Sequence, residues 1–349
     1  MEDQNRTELE NLGEFGLIDI IKKKVQIRNA STLVGIGDDA AVVKYDDDSK
    51  TVISTDLLVE GVHFDLSYVP LKHLGYKAVM VNISDIIAMN AVPRQITVSL
   101  SLSNRFSLEA IEEIYEGIFL ACELYNVDLI GGDTTSSVSG LTISITAIGE
   151  GKEGKIVYRG GAKESNLLVV SGDLGGAYMG LQILEREKQI YKESPNVQPD
   201  LSDCDYILER QLKPEARLDI IREFESLGIK PNAMMDISDG LSSEVMHLCN
   251  ESKVGVSIYE DKLPIDQQTF DRARDHHLDP TVCALNGGED YELVFAIDLS
   301  DYEKIKNHPM FTVVGHFLNE SEGQTLTAKD GSIHPLEAQG WNSFKGHSK

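Results

Sequence analysis

The chain is short of basic residues: 32 Lys plus Arg stand against 57 Asp plus Glu, a formal charge of −25 over 349 residues. That shortage argues against a nucleic-acid partner, because gripping a phosphate backbone takes clustered Lys and Arg. Cysteine is scarce as well. Cys122, Cys204, Cys249 and Cys283 are far apart and form no C-x-x-C pair. Three of them, in apolar or helical surroundings, read as reduced core thiols of a cytoplasmic protein, and no zinc site is expected. No apolar run reaches about 18 residues, so no membrane span is expected. Residues Met1 to Leu12 also lack the apolar stretch of a secretory signal.

The familiar phosphate-binding signatures are missing too. There is no G-x-x-x-x-G-K-[ST], and no kinase-type lysine strand followed by H-R-D. Gly35-Ile36-Gly37-Asp38-Asp39-Ala40 spells G-x-G-x-x-A, but Ser31 to Val34 precede it and the strand-like AAVVKY follows. No helix N-terminus is left there for a pyrophosphate, and two carboxylates would repel one unless a metal intervened. If the protein uses ATP, metal has to take over much of the neutralisation that lysine performs elsewhere.

What is present is an ordinary globular composition, 41% hydrophobic and 26% charged, in a chain long enough for two domains. Helical spacing covers 14–25 and 71–91, and a third helix starts at the N-cap Ser107 and runs to about Asn126. AAVVKY and TVISTDLLV read as strands joined by the turn Asp46-Asp47-Asp48. QITVSLSL, VDLI and LTISITAIGE are further strands, with GGD as a loop after VDLI. A Gly-rich, charged stretch over 150–166 marks the candidate boundary, giving domains 1–155 and 156–349. Beyond it come LLVVS, the turn GDLGGA and a helix with Met179, Leu181 and Leu184. A polar segment over 185–205 then reads as an insertion or mobile loop. A helix after Pro214, the segment MMDISDG, another helix, and the strands VGVSIYE and YELVFAI complete an α+β pattern without strict βα alternation.

The acidic residues recur beside glycines and hydroxyls: GIGDD at 35–39, STD at 54–56, NISD at 82–85, GGDTT at 131–135, DISDG at 236–240 and GGED at 287–290. The reading places them at loop ends. Mg²⁺ takes oxygen ligands in octahedral geometry and keeps several waters and substrate phosphates, so single carboxylates meeting in the fold would suit it. Asp85 is the most telling of them. Leu74, Ala78, Val81, Asp85 and Ala88 share one helical face, and Val79, Met80, Ile83, Ile86 and Ile87 cover the others. An unpaired carboxylate in such a helix costs several kcal/mol or takes up a proton.

The ordered set GIGDDAAV, ISTD with His63 after it, NISD, LIGGDTT, Arg159-Gly160-Gly161-Ala162-Lys163, DISDGL and GGEDYEL resembles the thiamine-monophosphate kinase family across nearly the whole chain. That family shares its fold with aminoimidazole ribonucleotide synthetase. The resemblance implies an N-terminal domain that binds metal and ATP and dimerises by joining sheets, with an α+β C-terminal domain. It also implies in-line phosphoryl transfer from ATP to thiamine monophosphate with several Mg²⁺ ions, the last step in making thiamine diphosphate. By the same resemblance Asp39, Ser54, Thr55, Asp56, Asp85, Asp133, Asp236 and Asp239 look like magnesium ligands. Gly132, Asp133, Arg159 and Ser238 look like ATP contacts, and His63, Glu289 and Trp341 look like substrate contacts. The chain departs from the family at Glu164-Ser165-Asn166, where Pro-Gly-Asp is common. The competing readings are another ATP-dependent enzyme of the same superfamily and a non-catalytic divalent-ion-binding protein.

Overall fold

The computed structural model describes residues 20–34, 42–45 and 48–339. Two of the expected site residues, Asp39 and Trp341, lie outside them, as do Asp46 and Asp47. The chain divides into two compact units, Met1–Ile156 and Val157–Lys349.

The first unit begins with a helical segment over 20–24 (α1) and the short strands Thr32–Val34 (β1) and Val42–Val43 (β2), which pair antiparallel. Then follow Ser49–Val59 (β3), Leu71–Ala88 (α2), Val92–Leu102 (β4), Leu108–Tyr125 (α3), Asp128–Ser136 (β5) and Leu141–Lys152 (β6). Their sheet runs β3-β6-β4-β5, with β3 along one edge. Among the described residues no β2–β3 pairing is present where the hairpin across Asp46–Asp48 is expected: β2 pairs with β1, and β3 pairs with β6. GGD is not a loop either: Gly131, Gly132 and Asp133 lie within β5, in register with Thr97, Val98 and Ser99.

Alternation along β6 is strict. Leu141, Ile143, Ile145 and Ala147 are buried, while Thr142, Ser144 and Thr146 face the other way. The buried face receives α2 and α3. These two helices touch through glycines: a Cβ on Gly75 would fall 2.0 Å from the Ile114 carbonyl oxygen, and one on Gly117 would fall 1.9 Å from that of Lys72. Helix α3 keeps its expected ends, with Ser107 accepting from the Ala110 N–H and Asn126 in the left-handed conformation.

The second unit carries a seven-stranded sheet in the order β13-β12-β9-β11-β7-β10-β8. Its strands are Leu167–Ser171 (β7), Ala233–Asp236 (β8), Val254–Tyr259 (β9), Leu293–Ile297 (β10), Phe311–Asn319 (β11), Gln324–Thr327 (β12) and Ile333–Pro335 (β13). Its helices are Gly176–Glu193 (α4), Asp205–Leu212 (α5), Leu218–Leu227 (α6), Leu241–Ser252 (α7), Gln267–Asp275 (α8) and Pro280–Asn286 (α9). Among its described strands only β12 and β9 pair in parallel, so the unit is α+β as expected. One sheet face packs Leu168, Val170, Val294 and Ala296 on Leu241, Val245 and Leu248 of α7. The other sets Phe295 edge-on to Phe224 of α6, with ring centroids 4.9 Å apart.

Two boundaries differ from the sequence reading. The polar 185–205 segment is helical as far as Glu193, because Ile183, Leu184 and Glu187 keep one face of α4 buried. Strand β10 starts at Leu293 rather than Tyr291, since Glu289 and Tyr291 sit at φ 66° and 51°. At the departure from the family pattern, Ser165 takes φ 71°, a conformation that a glycine would adopt without strain.

Candidate active site

In the first unit the site is built where edge strand β3 crosses α2. Alternation sends Ser54 and Asp56 toward the helix and Thr55 away from it. The Ser54 hydroxyl donates to Asp85 Oδ2 at 2.5 Å, and the Asp56 backbone N–H donates to Asn82 Oδ1 at 2.9 Å. Asn82 in turn donates to the Ala78 carbonyl at 2.9 Å, so one amide fixes helix and strand together. Between Leu74 and Ala88 only Val81 and Asp85 are less than fully buried, one turn apart on the stripe that β3 leaves open. Asp85 is therefore half-buried, and the fully enclosed carboxylate expected from the helix pattern is not found.

Asp56 pays the electrostatic cost instead. Its Oδ2 is buried and has no hydrogen-bond partner. Burial, with repulsion from Asp85 added, pushes its carboxyl up to about 6. No described Arg or Lys offsets this. Two converging carboxylates, one of them with an orphaned oxygen, and a hydroxyl are donors that suit a hard cation. Among the described residues no three His, Cys, Asp or Glu side chains converge to cage an ion. Mg²⁺ is commonly held by one or two carboxylates and completed by waters and substrate phosphates.

The remaining first-unit candidates are not brought to this pair. Thr55 donates to the Ile145 carbonyl at 3.1 Å and accepts from Thr146 at 3.0 Å, on the opposite sheet face. Asp133 is exposed on β5, at the far edge of the sheet from β3. Gly132 lies so close to β4 that a Cβ would stand 1.8 Å from the Val98 carbonyl oxygen. His63 follows β3 in a turn where its Nδ1 accepts from the Val59 N–H at 3.0 Å. That bond places the proton of a neutral ring on Nε2.

In the second unit two acidic loops extend the β8–β10 pairing. The Ile237 N–H donates to the Glu292 carbonyl at 2.7 Å, the Tyr291 N–H to that of Ile237 at 2.9 Å, and the Glu289 N–H to that of Ser238 at 2.7 Å. This ladder brings Asp236, Ser238, Asp239 and Glu289 into one neighbourhood. Burial raises the Asp239 carboxyl, His247 opposes the shift and Glu289 adds to it. Arg159 is exposed on a loop beside edge strand β8, held where the Met234 N–H donates to the Tyr158 carbonyl at 3.0 Å.

Sequence reasoning missed the residues that hold this neighbourhood. Glu244, in the first turn of α7, accepts from the Asp239 N–H at 2.9 Å and from the Ser238 hydroxyl at 3.5 Å. It is 2% exposed, its Oε2 has no partner, and burial pushes it up to about 8. Its only signal was an acid placed early in a helix. Asp290 and Glu292 are buried as well, and they are ion-paired. Arg210 donates to Glu292 at 3.0 Å and lies 3.6 Å from Asp290, while Arg217 donates to the other Glu292 oxygen. Asp290 also accepts from the N–H groups of Gly175 and Ala177 at the start of α4.

Comparison with known proteins places the fold in the AIR synthase class. The family described as AIR synthase related protein, N-terminal domain, matches residues 37–150. Over 339 residues the chain is 34% identical to a thiamine-monophosphate kinase of Bacillus subtilis, covering 96% of this chain and 100% of that one. A thiamine-monophosphate kinase structure from Stenotrophomonas maltophilia K279a superposes with a TM-score of 0.76 at 30% identity, covering 93% and 98% of the two chains. A structure described as AaThiL complexed with AMPPCP and TMP gives 0.74 at 34% identity, over 98% and 100%. The chain belongs to the thiamine-monophosphate kinase family.

Proposed function

We propose that this chain transfers the terminal phosphoryl group of ATP to thiamine monophosphate, giving thiamine diphosphate and ADP. Family membership supports the reaction, and so does a relative held with AMPPCP and TMP. The observation within the chain that carries the metal requirement is the Asp56–Asp85 pair, with one buried oxygen that nothing satisfies.

Asp56, Asp85 and Ser54 would hold Mg²⁺ in the first unit, and Asp236 and Asp239 would hold it in the second. The ion would supply charge neutralisation between two polyanions. The acceptor phosphate is already anionic at neutral pH, so the chain needs neither a nucleophilic Ser or Cys nor a strong general base. Its own residues position and orient: Arg159 offers a planar fork of donors to a phosphate, Ser238 a hydroxyl and His63 an Nε2–H donor. Gly132 lets the β5 backbone lie where a side chain would block it, and Asp133 beside it is the second ATP contact. Thr55 and Asp133, on or beyond the face away from α2, are the first-unit ligands that a lone protomer leaves unconverged. A homodimer through that sheet face fits, because Ile53 and Leu57 of edge strand β3 are 64% and 53% exposed. A cytoplasmic setting fits four buried, unbridged cysteines. No described helix is long and apolar enough to cross a membrane.

The test is mass-spectrometric detection of thiamine diphosphate formed from thiamine monophosphate, ATP and Mg²⁺. Product should form, vanish with excess chelator and return with added Mg²⁺. Turnover that persists in chelator would remove the metal from the reaction. Nucleotide binding without this product would point to another enzyme of the superfamily. Divalent-ion affinity without nucleotide affinity would leave a binding module.

A further inference from the structure

Helix α5 has no part in the reading above, yet it reaches Glu289, the residue to which that reading gives a substrate contact. Gln211, on the last turn of α5, is 5% exposed, and its Nε2 donates to Glu289 Oε2 at 2.7 Å. The helix is anchored on either side of this contact. Its neighbour Arg210 donates to the Asp173 carbonyl and to Glu292, both at 3.0 Å. On the α4 side, Gly180 lets the helices close: a Cβ there would fall 2.2 Å from the Ile207 carbonyl oxygen and 2.8 Å from the Gln211 side chain. The backbone of Glu289 is itself held at φ 66°, with its N–H committed to Ser238. A non-glycine residue keeps such a conformation only when its surroundings over-determine it.

We propose that Gln211 is a positioning residue for substrate: its amide holds one oxygen of Glu289 so that the carboxylate meets an N–H donor or cationic group of the phosphate acceptor. The amide is suited to this because it donates without adding charge. A lysine or arginine in its place would compete with a cationic substrate for the same carboxylate. The acceptor's recognised end is then its nitrogen-bearing part rather than its phosphate, since two anions would not meet there. This inference rests on the substrate role proposed for Glu289.

Steady-state kinetics on four forms of the purified enzyme test both points separately: wild type, Glu289→Gln, Gln211→Leu and the double variant. Gln211→Leu should raise KM for thiamine monophosphate about tenfold, as expected for losing a hydrogen bond to a charged group. The kcat and the KM for ATP should stay within about twofold, and Tm close to wild type. Gln211→Asn, whose amide is one methylene too short to reach, should resemble Gln211→Leu. Glu289→Gln should raise the same KM, and the double variant should be no worse than Glu289→Gln alone. If Glu289→Gln raises KM while Gln211→Leu does not, positioning by Gln211 is wrong and the role of Glu289 stands. If Glu289→Gln leaves KM unchanged, the substrate contact and this inference fall together. Equal losses in kcat and in both KM values for Gln211→Leu would show a structural residue only.

Discussion

Each unit carries a pair of acidic side chains drawn wholly or partly out of water, and the two pairs are resolved in opposite ways. In the second unit Asp290 and Glu292 meet two guanidinium groups, a serine hydroxyl and two backbone N–H donors. Burial pushes the Asp290 carboxyl up to about 7, with Arg210 and the two N–H groups opposing the shift and Glu292 adding to it. In the first unit Asp56 gets repulsion from Asp85 where Asp290 gets an arginine, and one of its oxygens has no partner. The residue type is the same, and the counter-charge separates the roles. Asp290 and Glu292, supplied with their own cations, hold the fold, whereas the reading proposed for Asp56, left short of a cation, is that it is kept for a bound ion.

The comparison breaks first at Arg210. Arg210→Met should destabilise the protein by about 3–5 kcal/mol, because it leaves Asp290 in the interior without a cation and takes one of the two guanidinium groups from Glu292. Urea denaturation followed by circular dichroism would show this as a fall in midpoint at unchanged slope. A loss below about 1 kcal/mol would mean that these carboxylates do not depend on their arginines. Asp85→Asn should act on the other quantity. It should cost at least about 10²-fold in kcat/KM, or roughly 2.7 kcal/mol, with stability unchanged or improved. A loss under about threefold would make Asp85 peripheral.

This difference was only half legible in the sequence. Asp85 stood out because an acid at helical spacing among Ile83, Ile86 and Ile87 is costly, and that argument needs no tertiary structure. The α3 boundaries were legible for a similar reason, since Ser107 and Asn126 act on backbone within a few residues of themselves. Asp56 and Asp290 could not be separated in the same way, because both read as an acid beside small residues. What distinguishes them is whether an arginine some 80 residues away folds back onto them. Sheet order was hidden for the same reason. A two-residue β2 and an eleven-residue β3 look like the arms of one hairpin, yet β2 pairs with β1 and β3 with the distant β6. Glu244 was missed because its role is to accept a backbone N–H from Asp239, which no spacing rule announces.

Asp56→Asn is the smallest of these effects and the most discriminating. The Asp56 carboxyl titrates near 6 in the folded protein, above its ordinary 3.8, so the folded state holds its proton more tightly than the unfolded chain does. Wild-type stability should therefore fall as pH rises from about 4 to about 6, and remain lowered above that. An uncharged amide removes this penalty. With the side chain partly open to solvent, Asp56→Asn should gain only about 1–2 kcal/mol at pH 7.5 and almost nothing at pH 4. It should also lose activity. Thermal melts at the two pH values, with and without Mg²⁺, separate the contributions: Mg²⁺ should raise the wild-type Tm at pH 7.5 and move that of Asp56→Asn much less. If the variant is destabilised at pH 7.5, the carboxylate has a partner within the fold, and the two pairs are not opposites.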